Sequence, residues 1–165
     1  MPLPAPIRAP NVLDLLPEEQ AEIFRTPECT VHLWRPARGV FASRVRGMMK
    51  PDAALALEMM MRRVAAEDQR FVAFHDWEKM TDYETESRVR LTRAVLDIRR
   101  SVEAAHLLVS SRIVALGVQA ANLVVKILTV HTTRSTFDAA LRDAVYLRRG
   151  TAQRRADEMD PAARR

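Results

Sequence analysis

The stretch that decides the fold is RFVAFHDWEKMTDYETESRVRLTRAVLDIRR, residues 70–100. It opens on a continuous apolar run, 71–74, which is typical of a strand buried on both faces of a sheet. A polar corner, 75–80, follows, and Thr81 with Glu84 three residues later has the capping-box spacing that starts a helix. A buried strand, a polar corner and a capped helix predict an α/β domain with its functional residues beyond the carboxyl ends of the strands.

The segments before this stretch predict a β-hairpin and a helix. Residues 30–34 and 40–46 alternate between apolar and polar side chains, with Pro36 and Gly39 in the turn between them. Pro51 then opens a helix in which apolar residues recur every three or four positions, so that they share one face.

Two more strand and helix units follow residue 100. Apolar runs at 104–109 and 127–130 predict strands, and residues 112–126 and 135–149 predict helices. One face of the first of these helices is formed by Ile113, Leu116, Ala120 and Leu123 or Val124. The predicted fold is therefore an α/β domain with a four- to five-stranded, mostly parallel mixed sheet, opened by a β-hairpin and flanked by about four helices.

The ends of the chain differ in composition from its middle. Residues 1–10 are rich in proline and are expected to form a flexible arm. Residues 11–24 predict a short leading helix, because a proline there is followed by two acids. Gly150 is expected to end the last helix and leave residues 151–165 as a flexible Arg-rich tail. A single domain is thus predicted for residues 11–150.

Composition places the chain among soluble proteins with one core. A length of 165 residues and a hydrophobic content of 48% suit a single domain. The formal net charge of +5 is modest, and no basic stripe stands out, so no nucleic-acid partner is expected. Cys29 is the one cysteine, which excludes an internal disulfide. With no secretory signal and no run long enough to span a bilayer, a cytoplasmic location without a transmembrane segment is expected.

The predicted strand ends bring together a candidate pocket. Its residues are His75, Asp76, Trp77, Ser110 and His131. Such imidazole, carboxylate and hydroxyl groups bind metals or transfer protons, but helix capping and loop hydrogen bonds explain the same residues and are favoured. Because no catalytic or metal-binding motif occurs, no enzyme, catalytic residue, metal or cofactor is predicted. A cavity lined by Trp77, Met80 and His131 would favour a bound ligand.

The helix predicted for residues 82–100 carries two further candidate features. Its first turns hold hydroxyl groups whose phosphorylation would add negative charge at a helix N-terminus, namely Thr81, Tyr83, Thr85 and Ser87. Its arginines offer a face for a protein partner, namely Arg88, Arg90 and Arg93. A solvated surface in which these arginines pair with neighbouring acids is the simpler interpretation.

Over residues 30–147 the pattern resembles the STAS-like superfamily, and more narrowly its SpoIIAA-like branch, which is close in fold to the lipid-binding CRAL-TRIO domains. The resemblance rests on the order of the elements and on three segments: 71–83, 111–123 and 131–141. In anti-sigma-factor antagonists of this superfamily, the phosphorylated serine directly follows an aspartate at the start of the helix. Here Tyr83 follows Asp82.

The resemblance also implies a function. It implies a non-enzymatic regulatory or protein-interaction module that docks an unknown protein partner through the 82–100 helix. The alternative that it implies is a binder of a lipid or small apolar ligand, with a CRAL-TRIO-like pocket between sheet and helices. The oligomeric state stays open.

Overall fold

The computed structural model describes residues 20–159, and side chains as far as residue 152. Its elements, in chain order, are β1 (Glu22–Arg25), β2 (Cys29–Ala37), β3 (Val40–Met49), α1 (Pro51–Asp68), β4 (Phe71–Tyr83), α2 (Thr85–Asp97), β5 (Val102–Val109), α3 (Arg112–Val125), β6 (Leu128–His131) and α4 (Arg134–Met159).

The strands form one sheet in which spatial order equals chain order, β1 to β6. β1, β2 and β3 are antiparallel, and β3 to β6 are parallel. The predicted mostly parallel mixed sheet, opened by a hairpin and accompanied by four helices, is confirmed. It has six strands rather than four or five, because Ile23 and Phe24 pair with β2. The predicted leading helix is therefore wrong at residues 22–24, and residues 11–19 lie outside the described residues.

The two faces of the sheet carry separate cores. Three parallel connections, β3–α1–β4, β4–α2–β5 and β5–α3–β6, each move one strand further in the same direction across the sheet. Because such connections share one handedness, α1, α2 and α3 all lie on the same face. Their core includes the fully buried Phe41, Leu57 and Phe71. Helix α4 lies on the other face, over a smaller core around Phe74 and Phe137.

The polar corner predicted at residues 75–80 is part of strand β4. The strand continues to Tyr83, because β3 also continues and offers backbone partners as far as the pair Met49 and Tyr83. Helix α2 consequently begins at Thr85, with Glu84 at its N-cap and no side-chain capping bond. The capping box predicted for Thr81 and Glu84 is wrong, since Thr81 lies within the strand.

Helix α4 passes through Gly150 and ends at Met159. The φ angle of Gly150 is not positive, and no described atom lies within 4 Å of the place where a Cβ would be, so neither backbone strain nor crowding requires the helix to end there. The predicted tail begins as helix, and residues 1–10 and 160–165 lie outside the described part of the chain. Among the described residues, no helix is both long and apolar enough to cross a bilayer.

Candidate functional site

The sheet separates the five residues that were predicted to share a pocket. Side chains alternate between faces along a strand, so His75 and Trp77 lie under α1–α3 while Asp76 points toward α4. His131 also lies on the α4 face, against Phe137. Ser110 follows β5, and its hydroxyl donates to the backbone carbonyl of Glu78 at 2.6 Å. The predicted joint pocket is therefore wrong, because His75, Asp76 and Trp77 lie within strand β4, where successive side chains point to opposite faces of the sheet.

His75 is a buried residue of the core. Its Nδ1 lies 2.8 Å from Oγ of Ser43 on the neighbouring strand, and its ring contacts Phe41 and Trp77. Burial lowers the pKa of His75 to about 4, because a charged imidazolium is poorly solvated there. The ring is therefore neutral at physiological pH and is a weak base.

Asp76 is the centre of an ion-pair network on the α4 face. Both of its oxygens accept hydrogen bonds from Arg134 at 2.9 Å, and Oδ2 also accepts from Nε of Arg44 at 2.9 Å. Arg134 further donates to Glu78 at 2.6 Å. Burial alone would raise the pKa of Asp76, but the hydrogen bonds from Arg134 and Arg44 outweigh it and lower the pKa. The network fixes the start of α4 to β3 and β4.

His131 pairs with a histidine that the sequence did not single out. Nδ1 of His106 lies 2.9 Å from Nε2 of His131, whose Nδ1 lies 3.2 Å from Oγ1 of Thr136. Burial lowers the pKa of both rings, and in His106 the nearby His131 adds to the effect. Among the described residues no third His, Cys, Asp or Glu completes a metal site. The parallel pairing of Leu108 with His131 places the two imidazole rings side by side. No local sequence pattern predicts this contact between strands.

The four hydroxyl groups predicted as phosphorylation sites have different environments. Thr81 and Thr85 are exposed. Oη of Tyr83 donates to the carbonyl of Ile113 at 3.4 Å. Ser87 is fully buried, and its hydroxyl donates to the carbonyl of Met49 at 3.1 Å. A kinase has access to Thr81 and Thr85 in this conformation, and their phosphorylation stays a prediction.

The three arginines of the predicted partner face also differ. Arg90 donates to Glu58 at 3.1 Å and so belongs to a pair between α1 and α2. Arg88 is half-buried and lines an apolar cavity. Arg93 is exposed, and neither Arg88 nor Arg93 has an ion-pair partner among the described residues. Arg93 is the arginine of the three that is best placed for a partner.

The apolar cavity has a volume of about 80 Å³ and lies between the sheet and helices α2 and α3. Trp77 and Met80 line it as expected, but His131 does not, since it is on the opposite face. Leu91 and Val95 of α2 and Val114 of α3 form part of the opposite wall. Nε1 of Trp77 is buried there, and no described residue forms a hydrogen bond with it.

Helix α3 is apolar on its outer side as well as its inner side. Its inner side buries Val114, Gly117, Val118 and Val125. Its outer side exposes Ile113 by 56%, Leu116 by 67%, Leu123 by 78% and Val124 by 57%. The face that the sequence analysis grouped is thus the exposed one. On the adjacent helix α2, Val89 and Leu96 are also exposed, by 51% and 42%. We call these six side chains the α2–α3 apolar surface.

Comparisons with solved structures place this architecture among known folds. An anti-sigma factor antagonist from Mycobacterium paratuberculosis is similar over 72% of this chain and 99% of its own, with a TM-score of 0.52 and 16% identity. An uncharacterized protein of the DUF3478 family with a SpoIIAA-like fold, from Shewanella loihica PV-4, is similar over 78% of this chain and 91% of its own, with a TM-score of 0.49 and 11% identity.

At 16% identity, the likeness to the mycobacterial antagonist shows the fold alone. The sequence resemblance to anti-sigma-factor antagonists is thus confirmed for the fold. No protein-family model matches the chain, and no curated protein does.

Proposed function

We propose that the chain is a non-enzymatic regulatory module that docks a partner protein through the α2–α3 apolar surface. The observation that carries this proposal is the outer side of α3. Polar side chains normally occupy the solvent-facing side of a surface helix, whereas α3 exposes aliphatic side chains there, and exposed apolar patches mark interaction sites. The fold of an anti-sigma factor antagonist is compatible with such a role.

The charges around this surface define the chemistry of the partner. Helix α3 contains no acidic residue and is bracketed by the exposed Arg112 and Lys126. Exposed Arg93 lies on α2 between Val89 and Leu96. The expected partner surface is therefore an apolar patch with acidic residues at its edge. A second copy of this chain fits less well, because antiparallel pairing of two α3 helices would place Arg112 beside Lys126.

The test replaces Leu116 and Leu123 with serine and compares capture of proteins from a lysate of the source cells. A matched control replaces Leu55 and Met59 of α1 with serine as well; these side chains are exposed by 41% and 63%. The proposal expects a protein that is captured by wild type and by the control variant but not by the α3 variant. The purified partner should then bind the α3 variant at least about tenfold more weakly, since fully burying a leucine side chain contributes about 1.5–3 kcal/mol.

Other outcomes would assign the surface to another occupant. If the wild type is a dimer in light scattering and the α3 variant is a monomer, a second copy covers the surface. If the wild type floats with anionic vesicles and the α3 variant does not, the occupant is a membrane. Either result contradicts the docking of a protein partner. An Arg93→Glu variant that binds the partner as well as wild type would contradict the charge argument.

The second candidate function is binding of a small anionic apolar ligand in the cavity. The observation that favours it is the combination of apolar walls with Arg88, which lacks an acidic partner among the described residues, and the unpaired Nε1 of Trp77. Cavities lined by apolar side chains bind small apolar molecules. At about 80 Å³, the cavity admits a short apolar group, and the anionic end would stay near Arg88.

Native mass spectrometry of the purified protein tests this candidate. It expects an additional small-molecule mass that is absent from an Ala121→Phe variant, because Ala121 lines the cavity. An Ala120→Phe variant is the control, since its side chain is exposed on the other side of the same helix. An unliganded wild type, or equal retention in both variants, would contradict a ligand in this cavity.

A further inference from the structure

A row of basic side chains crosses the antiparallel half of the sheet. The register pairs Arg25 of β1 with Thr30 of β2, Thr30 with Arg46 of β3, and Arg46 with Lys79 of β4. We call Arg25, Arg46 and Lys79 the basic row. Its three cations are far apart in sequence, so the folded sheet alone assembles them.

The basic row lies on the face of the sheet that carries α4, but α4 does not cover it. The sequence neighbours Phe24, Val31, Val45 and Met80 belong to the core under α1–α3, so the row points to the opposite face. Helix α4 begins at Arg134, whose side chain extends as far as Asp76 and Glu78 but makes no contact with a side chain of the basic row. Consistent with this, Arg25, Arg46 and Lys79 are all exposed.

Three of the acids near the row are already paired, while Asp82, three residues after Lys79, has no ion-pair partner among the described residues. Glu28 accepts from Lys50 at 2.9 Å, and Asp76 and Glu78 accept from Arg134 at 2.9 and 2.6 Å. None of the three cations of the basic row has an ion-pair partner among residues 20–152. The row is thus a positive stripe whose charge the described chain does not neutralise.

The spacing of the basic row matches an α-helix that lies across the strands. With strands about 4.8 Å apart, Arg25 and Arg46 are about 10 Å apart and Arg46 and Lys79 about 5 Å apart. On a helix, acids at positions i, i+7 and i+11 form one stripe with spacings of about 10 and 6 Å. Exposed Ile23, two residues before Arg25 and therefore on the same face of β1, would give such a helix an apolar contact.

We propose that the basic row binds an amphipathic helix of a partner protein through three acids at these spacings. This surface is distinct from the α2–α3 apolar surface, so either proposal can fail alone. A single-stranded nucleic acid is the less suitable occupant, because sheets that bind it expose aromatic side chains for base stacking. On this face Trp34, Phe74 and Phe137 are 4%, 1% and 2% exposed.

The test uses two synthetic helical peptides of identical composition. One carries glutamates at i, i+7 and i+11, and the other carries them at i, i+5 and i+9, on different sides of the helix. By fluorescence anisotropy at about 50 mM salt, the first peptide should bind at least about tenfold more tightly, since three exposed ion pairs of this kind together contribute about that much. The difference should shrink at about 500 mM salt because the charges are screened.

Protein variants and an oligonucleotide complete the test. Replacing Arg25, Arg46 and Lys79 with glutamine should remove the preference for the first peptide. A control variant replaces Arg38, Arg70 and Arg100 with glutamine; these three exposed cations lie at the opposite end of the parallel strands. This control should retain the preference for the first peptide. Equal binding of the two peptides, a preference that survives the triple replacement, or tighter binding of a single-stranded oligonucleotide with the same charge would each overturn the proposal.

Discussion

Replacing Asp76 with alanine should be among the most destabilising single changes in this chain that create no large cavity. The Asp76 side chain is 6% exposed and accepts hydrogen bonds from Arg44 and Arg134, whose side chains are 15% and 37% exposed. Removing one partner of a buried ion pair costs about 3–5 kcal/mol, because the other charge stays buried and unpaired. Since Arg134 is partly solvated and keeps Glu78, we expect about 2–4 kcal/mol.

Urea unfolding followed by circular dichroism measures this free energy. The matched control is Glu22→Ala, which removes an acid paired with Arg63 at 2.6 Å where the two side chains are 58% and 48% exposed. An exposed pair contributes about 0–1 kcal/mol, so the control should unfold close to wild type. A loss in Asp76→Ala no larger than in Glu22→Ala would refute the reasoning that burial gives this network its strength.

The pH dependence of the same comparison has a definite sign. The pKa of Asp76 is lowered in the folded state, so its contribution to stability is present above the ordinary aspartate pKa and is lost as the pH falls through the folded value. The difference in unfolding free energy between wild type and Asp76→Asn should therefore shrink below about pH 4. A difference that stays constant down to pH 2 would contradict the ionised state of Asp76.

Three further predictions concern single buried groups. In Gly117→Ala the new Cβ would lie 2.1 Å from Oη of Tyr83. We therefore expect the free energy of unfolding in urea to fall by about 1–3 kcal/mol. In a Tyr83→Ala background the same change should be neutral or stabilising, because alanine favours a helix more than glycine does. Burial lowers the pKa of His75 to about 4, so the unfolded state binds more protons than the folded state below about pH 6.5. The free energy of unfolding of wild type should therefore fall by up to about 3 kcal/mol between pH 6.5 and 4, and that of His75→Phe should not. An equal pH dependence of the two unfolding free energies would contradict this. Burial, with a smaller effect from Asp52, raises the pKa of the Cys29 thiol to about 11, so iodoacetamide at pH 8 should alkylate it only after unfolding, as mass spectrometry can show.

Those parts of the fold that depend on neighbouring residues in the sequence, such as helix starts and hairpin turns, were predicted correctly. Pro51 does begin α1, and the alternating residues around Gly39 do form a hairpin, with Gly39 at a φ of +74°. The polar residues after Phe74 misled the prediction, because a polar run usually marks a loop. Here the polar residues lie within a strand, because His75 forms a hydrogen bond with β3 and Asp76 accepts hydrogen bonds from β3 and α4.

The candidate site was predicted less well, because it depends on contacts between distant residues. Arg134 reaches Asp76 across 58 positions, and no spacing in the sequence indicates that pair. The faces of α3 could not be ranked by hydropathy, since both are apolar. The structure shows that the face with Val114, Gly117 and Val118 is the one that turns inward, where Gly117 packs against Tyr83.

The sequential order of the strands also bears on how the chain acquires its structure. Because each strand pairs with the one just before it, no strand must be inserted between two that are already in place. No parallel pairing has to close more than one crossover helix, which limits the entropic cost of each step compared with pairing between strands that are further apart in the sequence. The sheet can grow from the β2–β3 hairpin toward β6 while the chain is still being synthesised. Strand β6 pairs through only four residues, so its amides should be the first of the parallel strands to exchange with solvent.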